Sequence, residues 1–224
     1  MTQRICMVKV YVASIDKLLE GDYFEVRKKS VSEERKKKID ACKMKTDKAR
    51  SLAAGLLLQF AWNSYKKKDS EMIEISYIEN GKPVCTSDER FHFNLSHSGN
   101  YVACAVSEEA VGIDIQQVKK ADLLIAKRFF LPEEYELIQQ AFQKEQSEIF
   151  CKLWTGKESY MKYTGEGMSK MMNSFMVNMK GHYIDDKIKD EKIPIKWYAD
   201  IPSYQVAVCS TKEEFSSKLI WVTF

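Results

Sequence analysis

A single carboxylate inside an apolar strand constrains the fold of this chain more than any other residue. The stretch VGIDI, residues 111–115, is apolar except for Asp114. Because side chains alternate along a strand, Asp114 and Gln116 share the face opposite to the isoleucines. A carboxylate there costs free energy unless it is paired, hydrogen-bonded or bound to a metal. Asp114 is therefore either a binding residue or an aspartate that closes a turn at the strand end.

A second candidate segment, FNLSHSGNYVACAV (93–106), leads from a polar loop into an apolar strand. His97 lies between Ser96 and Ser98, and Gly99 follows. A turn that exposes backbone N–H groups beside an imidazole can hold a phosphate. A turn with one capping histidine is the simpler interpretation. The chain has 3 histidines, which leaves little material for a His-based triad or a zinc site.

The stretch LWTGKESYMK, residues 153–162, has helical spacing. Trp154, Glu158 and Lys162 recur every four residues and so share one face of a helix. Glu158 and Lys162 suit an ordinary surface ion pair, worth about 0.3–0.5 kcal/mol. They also suit a site in which Glu158 meets Asp114, because two carboxylates from different elements can bind Mg²⁺ beside a polyphosphate.

The remaining pattern predicts a chain of mixed helices and strands. Strands are predicted at 5–13, 72–78, 101–106, 111–115, 174–179, 195–199, 204–210 and 219–224. Helices are predicted at 30–68, with a break near Thr46 and Asp47, and at 121–130, 133–144 and 148–164. YVACAVSEE at 101 is similar to YQVAVCSTKEE at 204. This similarity reflects either a duplicated unit or chance likeness between two amphipathic strands.

Composition narrows the function classes. The 35 basic and 32 acidic residues nearly cancel, so charge gives no support for nucleic acid binding. The longest apolar run, LAAGLLLQFAW, is about half the length of a membrane-spanning helix, and the first residues do not resemble a signal peptide. The 6 cysteines have no CxxC spacing, which predicts reduced thiols. We therefore expect a cytoplasmic protein that binds neither nucleic acid nor a membrane.

Four motifs in a fixed order resemble one known family. They are NGKP at 80–83, NLSHSG at 94–99, GID at 112–114 and WxxKESxxK at 154–162. The last two resemble the two-part signature of the 4′-phosphopantetheinyl transferases, and the first two resemble its longer, surfactin-synthetase-activating (Sfp-type) branch. The resemblance covers residues 31–170.

The resemblance implies a fold. Members of this branch are monomers of two similar α+β halves related by a pseudo-twofold axis. In this chain the halves would be residues 1–110 and 111–224, the second carrying GID and WxxKESxxK. The active site would lie between them.

The resemblance also implies a reaction, in which the 4′-phosphopantetheine arm of coenzyme A moves to a serine of an acyl or peptidyl carrier protein. Adenosine 3′,5′-bisphosphate is released. Asp114 and Glu158 would hold Mg²⁺, or Mn²⁺, on the pyrophosphate. Glu158, or water on the metal, would be the base, and Lys162 would act at the phosphates. The residues that the family likeness assigns to coenzyme A are Lys82, Ser96, His97, Lys157, Lys162, Arg35, Lys38, Arg50 and Ser51.

One position departs from the family pattern. Many bacterial members have a third metal ligand, a glutamate, where this chain has Gln116. A neutral amide oxygen binds Mg²⁺ more weakly than a carboxylate, so we expect weaker metal affinity, with water able to fill the place. Two alternatives stay open: a non-catalytic module that binds carrier proteins, supported by Gln116 alone, and a Mg²⁺-dependent coenzyme A hydrolase on the same scaffold.

Overall fold

The computed structural model describes residues 7–67, 72–212 and 214–224. Its α-helices are α1 (Tyr23–Lys28), α2 (Glu33–Ala41), α3 (Lys45–Lys66), α4 (Leu123–Phe129), α5 (Pro132–Gln140) and α6 (Gln143–Thr164). Its strands are β1 (Lys9–Ser14), β2 (Ile75–Tyr77), β3 (Pro83–Cys85), β4 (His92–Ser98), β5 (Tyr101–Ser107), β6 (Val111–Gln117), β7 (Met176–Asn178), β8 (Tyr183–Asp186), β9 (Glu191–Tyr198), β10 (Tyr204–Ser210) and β11 (Ile220–Trp221).

Two sheets form the centre of the molecule. The first has the strand order β11-β1-β5-β4 and the second the order β6-β10-β9-β8-β7, while β2 and β3 form a separate hairpin. Apolar side chains such as Val10, Ile113 and Val208 form the core between the two sheets. Helix α3 covers the outer face of the first sheet and α6 that of the second. This four-layer arrangement confirms the predicted α+β class.

The two halves repeat one arrangement around their sheets. In the first, β1 pairs antiparallel with β5, and in the second β6 pairs antiparallel with β10. A helix of 22 residues, α3 or α6, follows the first strand of each pair. The similar segments at 101 and 204 are β5 and β10, so they occupy equivalent places. Their equivalence supports a duplicated unit rather than chance likeness.

The segment after residue 213 leaves the second sheet and joins the first. Strand β11 pairs parallel to β1, with Ile220 opposite Tyr11. The backbone N–H of Val8 donates to the carbonyl of Glu214 at 2.7 Å. The segment thus belongs to the predicted second half, residues 111–224, but completes the sheet of the first half. The division of the chain between residues 110 and 111 stays a prediction.

Several elements differ from the predicted ones. The prediction of a polar loop before residue 99 is wrong, because residues 92–98 form β4. The side chains of Asn94, Ser96 and Ser98 are directed at β6 and form hydrogen bonds with its backbone N–H groups. Strands β3 and β8 were not predicted, β2 is shorter than expected, and α6 begins earlier, at Gln143. The predicted strand at 5–13 begins at residues that lie outside the described part.

The described residues also bear on the predictions about membranes and thiols. In these ranges no helix combines the length and the apolar character needed to cross a bilayer. The free cysteines are Cys42, Cys85, Cys104, Cys151 and Cys209, and Cys6 falls outside the described ranges.

Helix α6 and strand β6 approach each other closely at Gly112. A Cβ atom at Gly112 would lie 2.1 Å from the carbonyl oxygen of Ser159 and 2.3 Å from the amide nitrogen of Tyr163. Both obstacles are backbone atoms of a long helix, which cannot move aside as a flexible side chain can. Glycine is therefore required here, and it sets α6 directly above the face of β6 that carries Asp114.

We expect Gly112→Ala to lower the free energy of unfolding by about 3 kcal/mol or more, or to prevent folding, because the new methyl group overpacks two backbone segments. The measurement is the urea midpoint followed by circular dichroism. Gly156→Ala is the matched control, since a Cβ there meets only the side chains of Val177, Trp197 and Ile195. A Gly112→Ala protein as stable as the wild type would contradict the close-approach argument.

Candidate active site

Asp114 and Lys162 form the centre of the site. Asp114 is 2% exposed, on the face of β6 toward α6. The Lys162 ammonium lies 2.7 Å from Asp114 Oδ1. The hydroxyl of Ser96, on β4, donates to the same oxygen at 2.7 Å and accepts from Lys162 Nζ at 3.0 Å. Three elements thus meet at one carboxylate oxygen, two from the second half and one from the first.

The other oxygen of Asp114 has a different environment. Asp114 Oδ2 is buried and has no hydrogen-bond partner in the described structure. An unpartnered carboxylate oxygen in a buried place is costly, which indicates a position for a ligand. Ser96 and Lys162 occupy Oδ1, so Oδ2 is the oxygen that faces this position.

Glu158 lies on α6, one turn before Lys162, and faces Asp114 of β6. Burial and the negative charge of Asp114 raise the pKa of Glu158, and the positive charge of Lys162 opposes them. Two like charges held together and shielded from water favour a cation between them. The donor set, two carboxylates with one free buried oxygen, fits a hard divalent cation such as Mg²⁺. The fold thus brings Glu158 within electrostatic range of Asp114, and their joint binding of a metal stays a prediction.

Gln116 lies two residues beyond Asp114 on the same face of β6. Its Oε1 accepts a hydrogen bond from the Ser98 hydroxyl at 3.2 Å. It lines a groove together with Trp154, which is one turn before Glu158 on α6. The helix face predicted from the spacing of Trp154, Glu158 and Lys162 thus lies along β6.

Lys82 approaches the same region from the first half. It follows a tight turn in which Asn80 and Gly81 have φ of 65° and 75°. Lys82 Nζ donates to the carbonyl of Tyr163 at 2.8 Å, and burial lowers its pKa to about 8. Lys82 and Lys162 line one open cleft of about 460 Å³ between the hairpin, β4 and the end of α6.

His97 and Arg50 lie on the other side of β4. His97 alternates with Ser96 and Ser98 and so faces α3, where Arg50 is located. Partial desolvation lowers the pKa of His97, and the charges of Arg50 and Lys162 lower it further. Arg50 donates to the carbonyl of Gly99 at 2.8 Å, at the turn that follows β4. His97 and Arg50 therefore lie close to each other.

Arg35, Lys38 and Ser51 have other surroundings. Arg35 is half-buried and lines a small depression with Gly55 of α3. Lys38 is exposed, forms an ion pair with Glu34 and donates to the hydroxyl of Tyr77. Ser51 is half-buried on α3, next to Arg50. Their assignment to coenzyme A stays a prediction.

Lys157 does not take part in this site, and its predicted phosphate contact is wrong. The side chain is 0% exposed. Its ammonium lies 2.8 Å from Glu134 Oε2 and donates to the carbonyls of Met172 and Phe175, both at 2.8 Å. All three N–H donors are used, so none remains for a phosphate. Adjacent residues on a helix point about 100° apart, which is why Lys157 faces the core while Glu158 faces β6.

The sequence interpretation did not assign a role to Ser98 or Glu134. The signal for Ser98 was present, because Asn94, Ser96 and Ser98 alternate as polar residues on one strand face would. Glu134 carried no comparable signal, since an acidic residue in the first turn of a helix is also an ordinary surface feature.

Lys157→Met is expected to lower the free energy of unfolding by about 3–5 kcal/mol, because it leaves the buried Glu134 without its cation. The measurement is urea denaturation with a common m-value. Lys127→Met, an exposed lysine on α4, is the control and should change stability by less than about 0.5 kcal/mol. An equally small loss for both variants would place Lys157 at the surface, within reach of a ligand.

Comparisons with known proteins place this site in one family. A family model described as 4′-phosphopantetheinyl transferase, N-terminal, matches residues 20–109, and one for the 4′-phosphopantetheinyl transferase superfamily matches residues 110–209. A 4′-phosphopantetheinyl transferase of Bacillus subtilis is 33% identical over 221 residues, 97% of this chain and 98% of that protein.

Two further relatives agree. The 4′-phosphopantetheinyl transferase Sfp of Bacillus subtilis strain 168 is 32% identical over 220 residues, again 97% of this chain and 98% of the relative. The transferase psf-1 of Bacillus pumilus is 35% identical over 191 residues, 84% of this chain and 82% of the relative. The chain therefore belongs to the 4′-phosphopantetheinyl transferase superfamily, in the branch of its Sfp-type members.

Proposed function

We propose that this protein transfers the 4′-phosphopantetheine arm of coenzyme A to a serine hydroxyl of an apo acyl or peptidyl carrier protein. The observation that carries the proposal is the unpartnered, buried Oδ2 of Asp114 beside Glu158. In a member of this family, such a pair suits the divalent cation that a pyrophosphate substrate needs.

Asp114 and Glu158 would hold Mg²⁺, with Gln116 as a neutral third donor. When bound, the cation supplies charge neutralisation on the pyrophosphate of coenzyme A. Lys162 supplies a second positive charge. Its ammonium lines the cleft and already contacts Asp114, so a small movement exchanges a carboxylate oxygen for a phosphate oxygen.

The chemical step is a substitution at phosphorus. The oxygen of the carrier serine forms a bond to the phosphorus that bears pantetheine, and the bond from that phosphorus to the bridging oxygen breaks. The electron pair leaves with adenosine 3′,5′-bisphosphate. Glu158, or a water molecule beside it, accepts the serine proton.

Lys82 and the group of His97 and Arg50 would bind the nucleotide end of coenzyme A. Both lie next to the central cluster, on either side of β4, and both are cationic or polar. His97 and Arg50 lie on the face of β4 opposite to Ser96, whereas Lys82 shares the cleft of Lys162.

The reaction is tested by intact-protein mass spectrometry of an apo carrier protein incubated with this protein, coenzyme A and Mg²⁺. We expect a gain of one phosphopantetheine group, lost with EDTA and reduced by about 10²-fold or more in Glu158→Ala because the base is removed. Glu148→Ala, which changes an exposed glutamate on the same helix, should transfer at the wild-type rate.

Two outcomes would contradict the proposal. Release of phosphopantetheine in the absence of a carrier would show a hydrolase. Binding of coenzyme A without any gain in mass of acyl or peptidyl carriers would show a non-catalytic module.

The low pKa of Lys82 predicts a pH dependence of nucleotide binding. In the free protein Lys82 is charged below about pH 8 and neutral above it. A bound phosphate favours the charged form, so the affinity for adenosine 3′,5′-bisphosphate should fall about tenfold between pH 7 and pH 9. Isothermal titration calorimetry measures this dependence.

Lys82→Arg is the matched variant for this test. Arginine keeps its charge throughout this range, so the affinity of the variant should stay nearly constant. If the variant loses affinity with pH as steeply as the wild type, the titrating group is not Lys82.

A further inference from the structure

Three polar residues of β4 make the same kind of bond to β6. Asn94 Oδ1 accepts from the backbone N–H of Ile113 at 3.0 Å. Ser96 Oγ and Ser98 Oγ accept in the same way from the N–H groups two and four residues further along β6, at 3.3 Å and 3.1 Å. Because the bond recurs at every second residue of both strands, the three side chains occupy equivalent places.

The two serines also donate to a side chain of β6, and Asn94 does not. Ser96 Oγ donates to Asp114 Oδ1 at 2.7 Å, and Ser98 Oγ repeats this bond at 3.2 Å with the side chain two residues further along β6. Each acceptor belongs to the residue just before the one whose N–H the serine binds. The equivalent residue for Asn94 is Gly112, which has no side chain. Strand β6 therefore offers Asn94 no side-chain acceptor.

The amide of Asn94 thus has an unused donor. A backbone N–H can only donate, so the atom that faces Ile113 is Oδ1, and the other end of the carboxamide is the NH₂ group. This Nδ2 forms no hydrogen bond with another described residue. Asn94 is only 5% exposed, and a donor held so deeply is unfavourable unless water or a ligand accepts from it.

The cleft that Asn94 lines is cationic. Lys82 and Lys162 line it together with Asn94, and the apolar residues Leu95 and Met161 also border it. None of the described residues in this lining is acidic. Two ammonium groups and one amide donor, with no carboxylate in the lining to compete, suit the oxygens of a phosphate group.

We propose that Asn94 is a binding residue for coenzyme A, donating from Nδ2 to a phosphate oxygen held between Lys82 and Lys162. This inference rests on the proposed function, because it takes coenzyme A as the ligand. The carboxamide then has two roles: its oxygen joins β4 to β6, and its NH₂ group contacts the substrate. A serine at this position would supply the first role alone.

The test is isothermal titration calorimetry of coenzyme A with Mg²⁺ and without a carrier protein. Asn94→Ser keeps an acceptor for the N–H of Ile113 but lacks the NH₂ group, so the Kd should rise about tenfold, the effect of one lost hydrogen bond to a charged group. Asn94→Asp also keeps the acceptor and places a negative charge beside the phosphate, so the Kd should rise about 10²-fold. The urea midpoint of Asn94→Ser should stay close to that of the wild type.

Asn178→Asp is the matched control, because it makes the same substitution and the same change of net charge. Asn178 lies in β7 and not in the lining of the cleft. Its Oδ1 accepts from the N–H of Gly181 at 2.7 Å, and its Nδ2 donates to the hydroxyl of Tyr183 at 2.8 Å. The Kd for coenzyme A should therefore stay within about twofold of the wild-type value, because distant charges are screened.

Dephospho-coenzyme A, which lacks the 3′-phosphate, identifies the phosphate that Asn94 contacts. An equal loss of affinity for both ligands in Asn94→Ser indicates the pyrophosphate. A loss confined to coenzyme A indicates the 3′-phosphate. Either result supports the contact.

The remaining outcomes separate the two claims. Wild-type protein that does not bind coenzyme A overturns the proposed function and this inference with it. Wild-type protein that binds coenzyme A, with both Asn94 variants binding it equally well, overturns the role of Asn94 alone. If neither variant folds, the wild type decides: its Asn94 side-chain NH₂ signal in a nitrogen-15 NMR spectrum should shift when coenzyme A is added, and an unchanged signal overturns the role.

Discussion

The contact between β4 and β6 is the interaction on which the rest of the structure depends. These strands belong to different sheets, and side chains rather than backbone groups join them. Asn94, Ser96 and Ser98 accept in turn from the backbone N–H groups of Ile113, Ile115 and Gln117. The bonds to Ile113 and Ile115 satisfy donors of β6 that would otherwise be buried without a partner. Strand β6 is at the edge of its sheet, so side chains of β4 supply the hydrogen bonds that a neighbouring strand would otherwise make.

The same contact makes a buried carboxylate tolerable. Asp114 would be unfavourable in an apolar strand, but the hydroxyl of Ser96 and the ammonium of Lys162 compensate one of its oxygens. Gly112 allows α6 to approach closely enough for Lys162 to reach it. The other oxygen, Oδ2, is buried without a partner, which is unfavourable until a ligand binds it. The two oxygens of Asp114 thus have different functions. Oδ1 takes part in the bonds that stabilise the fold, and Oδ2 is available to a ligand.

Much of this arrangement follows from local sequence, and the part that does not has a physical reason. Alternation predicted that Asp114 and Gln116 share a face, and helical spacing predicted that Glu158 and Lys162 do. The approach of these two faces depends on Gly112 and on helix α6, which begins at Gln143 rather than at the predicted residue 148. The polarity of residues 92–98 predicts a loop, because polarity alone does not reveal that one face of β4 is buried by hydrogen bonds. The burial of Lys157 is not predictable from sequence, because its partner, Glu134, is distant in sequence and carries no motif.

The pairing of β11 with β1 has a consequence for the synthesis of this protein. Val8 exchanges backbone hydrogen bonds with Glu214 and Ser216, and the carbonyl of Val12 accepts from the N–H of Val222. These partners leave the ribosome after all the other strands of the two sheets. The first sheet therefore cannot be completed during synthesis of the half that supplies most of it, and one edge of β1 waits for a distant segment. Contacts of such large sequence separation slow folding, so the first sheet is completed only after the second half has been synthesised.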